Sequence, residues 1–249
     1  MSCLFDSPEF NERLFFPRSD RSAPPDGARE LDVAGDETLH VRCYRALPAR
    51  PTVLLFHGNG EVVSDYNEQA PLFAKAGANL AVMDYRGYGR STGTPTLRSA
   101  LADAHRIVAA VRDVATPLIV MGRSLGSACA AELYAKPPEG VIGFVIESGF
   151  VDLGALVRRR GMKPPANLSP ADRTAFDAER KLAKGQLPLL VLHGGDDTMI
   201  VPAEAQRAHA AAGTTDKELV VIPDHGHNDV SLSPLYWQAL QRFVQRIAG

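Results

Sequence analysis

The chain alternates between two kinds of apolar pattern. Short, nearly continuous runs stop abruptly at glycine or polar residues, as Thr52-Val53-Leu54-Leu55-Phe56 does before His57-Gly58. Runs of this kind predict strands buried on both faces. The type recurs at 79–84, 117–121, 141–146, 187–192 and 217–222. Between these runs, residues 66–76, 97–114, 125–136, 202–212 and 233–247 carry helical spacing. In the last of them Tyr236, Leu240, Phe243, Val244 and Ile247 form one apolar stripe. Residues 30–34 and 38–44 flank the turn-forming Gly35-Asp36 and predict an antiparallel pair.

Alternating βα units imply an α/β fold: a mostly parallel eight-stranded sheet, helices on both faces and right-handed crossovers. Two stretches break the rhythm. Residues 1–28 mix aromatics, charges and prolines (Leu14, Phe15, Phe16, Pro17, Pro24, Pro25) and read as an irregular lead-in draped on the domain. Residues 149–186, with Pro164, Pro165 and Pro170, are too long for a simple connection. They predict a short cap insertion over the sheet edge, within one domain spanning 1–249.

Composition narrows the function classes. The chain has 249 residues, 45% of them hydrophobic and 22% charged, with a net charge of −2, so nothing draws it toward nucleic acid or anionic lipid. Cys3, Cys43 and Cys129 are odd in number and far apart, which supports neither a disulfide framework nor a metal site. The N-terminal residues lack the basic and apolar segments of a secretory signal, and no run of about 18 apolar residues occurs. A cytoplasmic protein without cofactor or metal is the expectation. Nothing in the sequence sets its oligomeric state.

Ligands of parallel sheets bind outside the carboxyl ends of the strands, and there this sequence collects its chemistry. Gly122-x-Ser124-x-Gly126 follows an apolar strand and opens a helix, the context of a nucleophile elbow. A serine needs a base to attack at neutral pH. Among seven histidines, His227 follows the last strand, giving the chain order serine, acid, histidine. His225 reads as solvent-facing or backbone-bonded, and His57 and His193 as buried structural histidines. His40, His105 and His209 lie in elements without convergent partners. For the acid, Asp197 lies far enough beyond His193-Gly194 to curl back to the catalytic edge, while its neighbour Asp196 points elsewhere. Asp152 is a rival carboxylate after another strand, and Asp84 is expected to cap or pair locally, with Arg86 or Arg90. An oxyanion hole needs two donors. The N–H of Leu125 and, from the His57-Gly58-Asn59-Gly60 turn, that of Asn59 are the candidates.

With those residues in place, the chain resembles the α/β-hydrolases of the serine-hydrolase type from about residue 30 to 248. The phrases His57-Gly58-Asn59-Gly60, Asp84-Tyr85-Arg86-Gly87-Tyr88-Gly89-Arg90-Ser91 and His193-Gly194-Gly195-Asp196-Asp197 are similar to a small, minimally capped branch, the serine aminopeptidase-like and Bem46-like hydrolases. The resemblance implies a triad of Ser124, Asp197 and His227, an oxyanion hole at Asn59 and Leu125, and hydrolysis of a small-molecule ester or thioester. Membrane-bound relatives carry an N-terminal anchor or a palmitoylated cysteine cluster. Cys3 alone provides neither, so no stable membrane anchor is expected.

A serine at 124 disfavours dehalogenase and epoxide-hydrolase chemistry, which needs an aspartate there. Ester hydrolysis leads, with thioesterase or aminopeptidase action on the same residues, or a non-catalytic ligand receptor, as alternatives. Residues 149–186 hold eight basic against four acidic residues, a local charge of +4. That excess either steers anionic acyl substrates or is simply a solvated basic face. Leu153, Leu156, Val157 and Met162 either wall an acyl site or pin the insertion down.

Overall fold

The structure is a computed structural model that describes residues 4–159, 161–163 and 169–249. Cys3, Arg160, Pro164 and Pro165 lie outside the described residues. Eight strands form one sheet: β1 (Ala28–Val33), β2 (Leu39–Tyr44), β3 (Thr52–Phe56), β4 (Asn79–Met83), β5 (Leu118–Arg123), β6 (Val141–Glu147), β7 (Leu189–Gly194) and β8 (Lys217–Ile222). Their spatial order is β1-β2-β4-β3-β5-β6-β7-β8. Only the pairings that involve β2 are antiparallel, and all others are parallel.

The chain runs from β3 outward to β4, then returns to place β5 on the other side of β3. The strand order therefore reverses between β3 and β5, where Phe56 stands opposite Gly122. At such a reversal the connections leave in opposite directions and open a crevice above the strand ends.

Successive residues of the central strands feed two separate cores, as a side-chain period of two requires. Leu54, Phe56, Leu118 and Val120 pack with α3 (Leu97–Arg112) and α4 (Ser127–Tyr134). Val53, Leu55, Ile119 and Met121 pack on the other face with α2 (Ala70–Lys75) and α9 (Pro234–Ala248). In α3 the buried positions Leu97, Ala100, Leu101, Ala104, Ile107, Val108 and Val111 follow helical spacing, and the Thr96 hydroxyl accepts from the Ser99 N–H to cap its start. Helix α8 (Pro202–Ala211) covers β7 and β8.

The lead-in differs from the irregular segment predicted. Residues Pro8–Leu14 form helix α1, whose N-cap Ser7 accepts from the Phe10 N–H at 3.2 Å, with Pro8 at the first helical position. Phe10 and Leu14, four residues apart, then face the core together with Phe15. A seven-residue helix spans too few turns for its periodicity to register. Phe15, 2% exposed, meets the rings of Tyr85 and Tyr88 edge-on. Truncating it to alanine is expected to cost about 3–5 kcal/mol, read as a drop in the urea midpoint.

Among the described residues between β6 and β7 are three short helices, α5 (Leu153–Arg159), α6 (Pro170–Ala175) and α7 (Ala178–Leu182). Leu153, Leu156, Val157 and Met162 are buried in the α3–α4 core. Of their two readings, pinning the insertion down is the one this packing supports.

Candidate active site

Everything at the reversal point begins with a strained turn. Strand β5 ends at Arg123, and Ser124 turns the chain into α4 with a φ of +49°, a left-handed conformation costly for any residue with a Cβ. Space is equally tight around it. A Cβ on Gly122 would lie 2.4 Å from the Gly126 carbonyl oxygen, and one on Gly126 would lie 2.0 Å from that of Phe56 on β3. Both glycines are thus fixed by backbone approach. The turn is pinned from behind by Ser127, whose hydroxyl donates to the Ser124 carbonyl at 2.7 Å and accepts from the Phe150 N–H at 3.2 Å.

The structure brings Ser124, Asp197 and His227 together. His227 Nε2 lies 2.9 Å from Ser124 Oγ, and His227 Nδ1 lies 2.7 Å from Asp197 Oδ2. All three are buried. The remaining oxygen of Asp197, Oδ1, accepts from the N–H groups of Met199 and Ile200, each at 2.8 Å. His193 approaches Oδ2 at 3.3 Å through Nε2, which also reaches the Ile200 carbonyl at 2.7 Å. Burial alone would push the Asp197 carboxyl up. The hydrogen bonds from His193, His227 and the Ile200 N–H outweigh burial and hold it well below the usual carboxylate range. It is an anion placed to accept from the imidazole.

The competing residues fall elsewhere. Asp196 is exposed. His225 turns its Nδ1 to the Pro223 carbonyl at 2.7 Å. His57 is fully buried, with Nδ1 on the Gly58 carbonyl at 2.7 Å.

Asn59 and Leu125 follow the adjacent strands β3 and β5. The turn that carries Asn59 is held at several points: the Gly58 N–H donates to Glu61 Oε2 at 2.7 Å, and Gly60 takes a φ of +81°. The Asn59 side chain is committed to the lead-in. Its Oδ1 accepts from the Phe16 N–H at 2.9 Å and the Tyr88 hydroxyl at 2.7 Å, while Nδ2 donates to the Leu14 carbonyl. What the residue can offer a ligand is its main-chain N–H. Among the described residues no three His, Cys, Asp or Glu side chains are grouped to hold a metal, and no helix is long and apolar enough to cross a membrane.

The sequence profile of the serine aminopeptidase S33 family matches residues 48–170 and 169–230. The chain belongs to that family of α/β-hydrolases. This S33 hydrolase is 28% identical to protein bem46 of Schizosaccharomyces pombe over 204 residues, covering 79% of this chain and 68% of that one. It is 31% identical to an uncharacterized protein of Mycobacterium tuberculosis over 204 residues, 80% of this chain and 71% of that one. Among solved structures, the esterase Pf2001 of Pyrococcus furiosus superposes with a TM-score of 0.76 at 19% identity, covering 94% of this chain and 99% of that one.

Two features of the hydrolase site escaped the sequence. Asp84 does not pair with the side chains of Arg86 or Arg90: Arg86 binds Asp103 at 2.7 Å and Arg90 binds Glu30 at 3.1 Å. Asp84 instead meets His40 Nδ1 at 2.8 Å, and His40, expected to have no convergent partner, also contacts Glu30. These partners come from strands distant in sequence, and only the β1-β2-β4 pairing makes them neighbours. The second feature is Arg123, whose partners Glu61 and Glu147 lie beside it on neighbouring strand ends. An arginine closing an apolar strand was the available signal, because its buried charge demands counter-ions.

Burial would raise the Asp84 carboxyl, yet the hydrogen bonds from His40 (2.8 Å) and the Val63 N–H (3.0 Å), with the His57 ring 3.7 Å away, hold it below its ordinary value of 3.8. A carboxyl depressed in the fold supplies stability above its unfolded pKa and loses it as pH falls toward the folded one. Below about pH 4 the hydrolase is therefore expected to weaken by about 1.4 kcal/mol per pH unit for each such group. Asp84→Asn should give a shallower fall of the urea midpoint between pH 5 and 3 than the parent chain shows.

Proposed function

We propose that this S33 hydrolase cleaves carboxylic ester bonds of small or medium acyl substrates through an acyl-enzyme on Ser124. The observation that carries the reading is the unbroken line from Ser124 Oγ to His227 Nε2 (2.9 Å) and from His227 Nδ1 to Asp197 Oδ2 (2.7 Å). His227 takes the serine proton as Oγ attacks the carbonyl carbon, and Asp197 stabilises the imidazolium that forms. The N–H groups of Asn59 and Leu125 hold the oxyanion. Collapse of the tetrahedral intermediate expels the alcohol, which receives the proton from His227. Water, deprotonated by the same imidazole, then releases the acid and restores the serine. Residues 149–186 act as a small cap on a single domain spanning 1–249.

The esterase among the structural neighbours supports ester over amide chemistry. Selection of anionic substrates by the insertion has less support. Lys181 is paired with Glu132, outside the insertion, so part of the basic excess is already neutralised.

The test is a panel of p-nitrophenyl esters of graded chain length, acyl-CoA thioesters and aminoacyl anilides, with fluorophosphonate labelling alongside. Esters should turn over fastest, without salt-dependent preference for anionic ones, and the label should enter Ser124. Faster cleavage of thioesters or anilides would reassign the bond broken. A parent chain that neither labels nor turns over any of them would favour a ligand receptor.

A further inference from the structure

We propose that Arg123 is a positioning residue of this site: its buried guanidinium braces the oxyanion turn and the His227 loop against the nucleophile elbow. The inference rests on the hydrolase reading above and assigns that reaction one more residue. Arg123 immediately precedes Ser124 and its side chain is only 11% exposed. Each nitrogen of its fork reaches a different strand end. Nη1–H donates to Glu61 in the turn after β3, and Nε–H to Glu147 Oε1 at the end of β6, at 3.1 Å. Nη2–H donates to Asn228 Oδ1 at 2.9 Å and approaches the carbonyl of His227 itself at 3.4 Å.

The link to the oxyanion turn is direct. Glu61 Oε2, on the carboxylate that Arg123 holds, accepts the Gly58 N–H at 2.7 Å and the Tyr66 hydroxyl at 2.7 Å. A Cβ on Gly58 would lie 2.4 Å from Arg123 Nη1, so the guanidinium rests against this turn and the glycine makes room for it. Glu147 is in turn fixed by the Tyr236 hydroxyl of α9 at 2.7 Å. The oxyanion turn, the elbow and the imidazole loop follow three different strands, β3, β5 and β8, and one planar cation touches all three.

Stability alone is a weak reason for this arrangement. Burying a charge with two carboxylates costs desolvation that a well-packed apolar side chain avoids. Reaction rate is a stronger one, because a misplacement of about 1 Å between reacting groups can cost about 10²-fold.

The experiment compares Arg123→Met, Arg123→Lys and Arg123→Ala with the parent chain on its best p-nitrophenyl ester. Arg123→Met should lower kcat about 10²-fold with KM moved by less than about threefold, and Arg123→Lys, which keeps charge but loses the fork, should fall between. A polar cavity of about 160 Å³ lies alongside, lined by Glu61, Tyr66, Arg123, Glu147 and Tyr236 among others. Arg123→Ala should therefore recover at least about tenfold in kcat, saturably, with tens of millimolar guanidinium chloride and not with sodium chloride. Guanidinium is a denaturant, so a loss of rate due only to lost stability would deepen under the same treatment.

Parent-like kcat in Arg123→Met, or no rescue of a folded Arg123→Ala, overturns the proposal. Should both variants fail to fold, Asn228→Ala removes the shorter of the two ties to the His227 loop and leaves the 3.4 Å approach to the His227 carbonyl. It should lower kcat about five- to tenfold at unchanged melting temperature, and parent-like kcat there overturns the proposal as well. Failure of the parent chain to label or turn over ester defeats the hydrolase reading itself, and the role of Arg123 with it. A labelled, active parent beside unaffected variants defeats only the role of Arg123.

Discussion

Ser124→Ala is expected to lose fluorophosphonate labelling entirely and to lower kcat/KM for the best ester by about 10⁴–10⁶-fold, the range seen when an activated nucleophile is removed. The paired variant Ser124→Gly should be equally inactive yet more stable than Ser124→Ala. Both lack the hydroxyl that meets His227 at 2.9 Å, so that contact cancels from the comparison. What differs is the Cβ at a φ of +49°. A left-handed residue with a side chain costs roughly 1–2 kcal/mol, and glycine gives back roughly 0.5–1 kcal/mol through its freer unfolded chain. The difference should favour glycine by about 0.5–1 kcal/mol, read from urea midpoints. A stability order of alanine above glycine would mean that the turn is not strained and that the serine is not held out by its backbone. A strained residue persists only where the surrounding structure holds it, as the Ser127 hydroxyl does here by bonding both the Ser124 carbonyl and the Phe150 N–H.

How far the site could be read in advance depended on whether each residue's partner is local. The central strands announced themselves because Thr52–Phe56 and Leu118–Met121 are apolar on both faces, which only a covered parallel sheet permits. The turn at Ser124 was legible because its glycines are required by backbone approach at fixed offsets. Contacts assembled by strand order were not legible in the same way. Asp84 and His40 are 44 residues apart and meet because β2 pairs with β4. Arg123 and Asn228 are 105 residues apart and meet because β5 and the loop after β8 converge at one sheet edge. Charge patterning along the chain points such residues to their sequence neighbours, as it pointed Asp84 to Arg86 and Arg90. The folded neighbours Glu30 and Asp103 claimed those arginines instead. Helix α1 failed to register for a different reason: its stability comes from burying Phe10 and Leu14 against the domain, which a seven-residue pattern does not reveal.

Asp197→Asn is expected to lower kcat about 10⁴-fold with KM little changed and the fold retained. The reason is the number of donors that converge on the carboxylate. Oδ1 receives two N–H groups, from Met199 and Ile200, both at 2.8 Å, and Oδ2 receives His227 Nδ1 at 2.7 Å with His193 Nε2 at 3.3 Å. An asparagine has one oxygen for these two places. The pair of backbone donors cannot move, so the amide oxygen takes their side and the NH₂ is left facing His227. An NH₂ can only donate, which obliges Nδ1 to accept and puts the ring proton on Nε2. That tautomer presents N–H to Ser124 Oγ where a lone pair is needed, and the serine proton has nowhere to go. Fluorophosphonate labelling should slow together with turnover, because both begin with loss of the same proton. Asp197→Asn labelling at the parental rate, while ester turnover collapses, would instead place the carboxylate's task in deacylation. Unchanged turnover would remove Asp197 from the reaction and leave its hydrogen bonds to Met199, Ile200 and His227 as scaffolding for the loop.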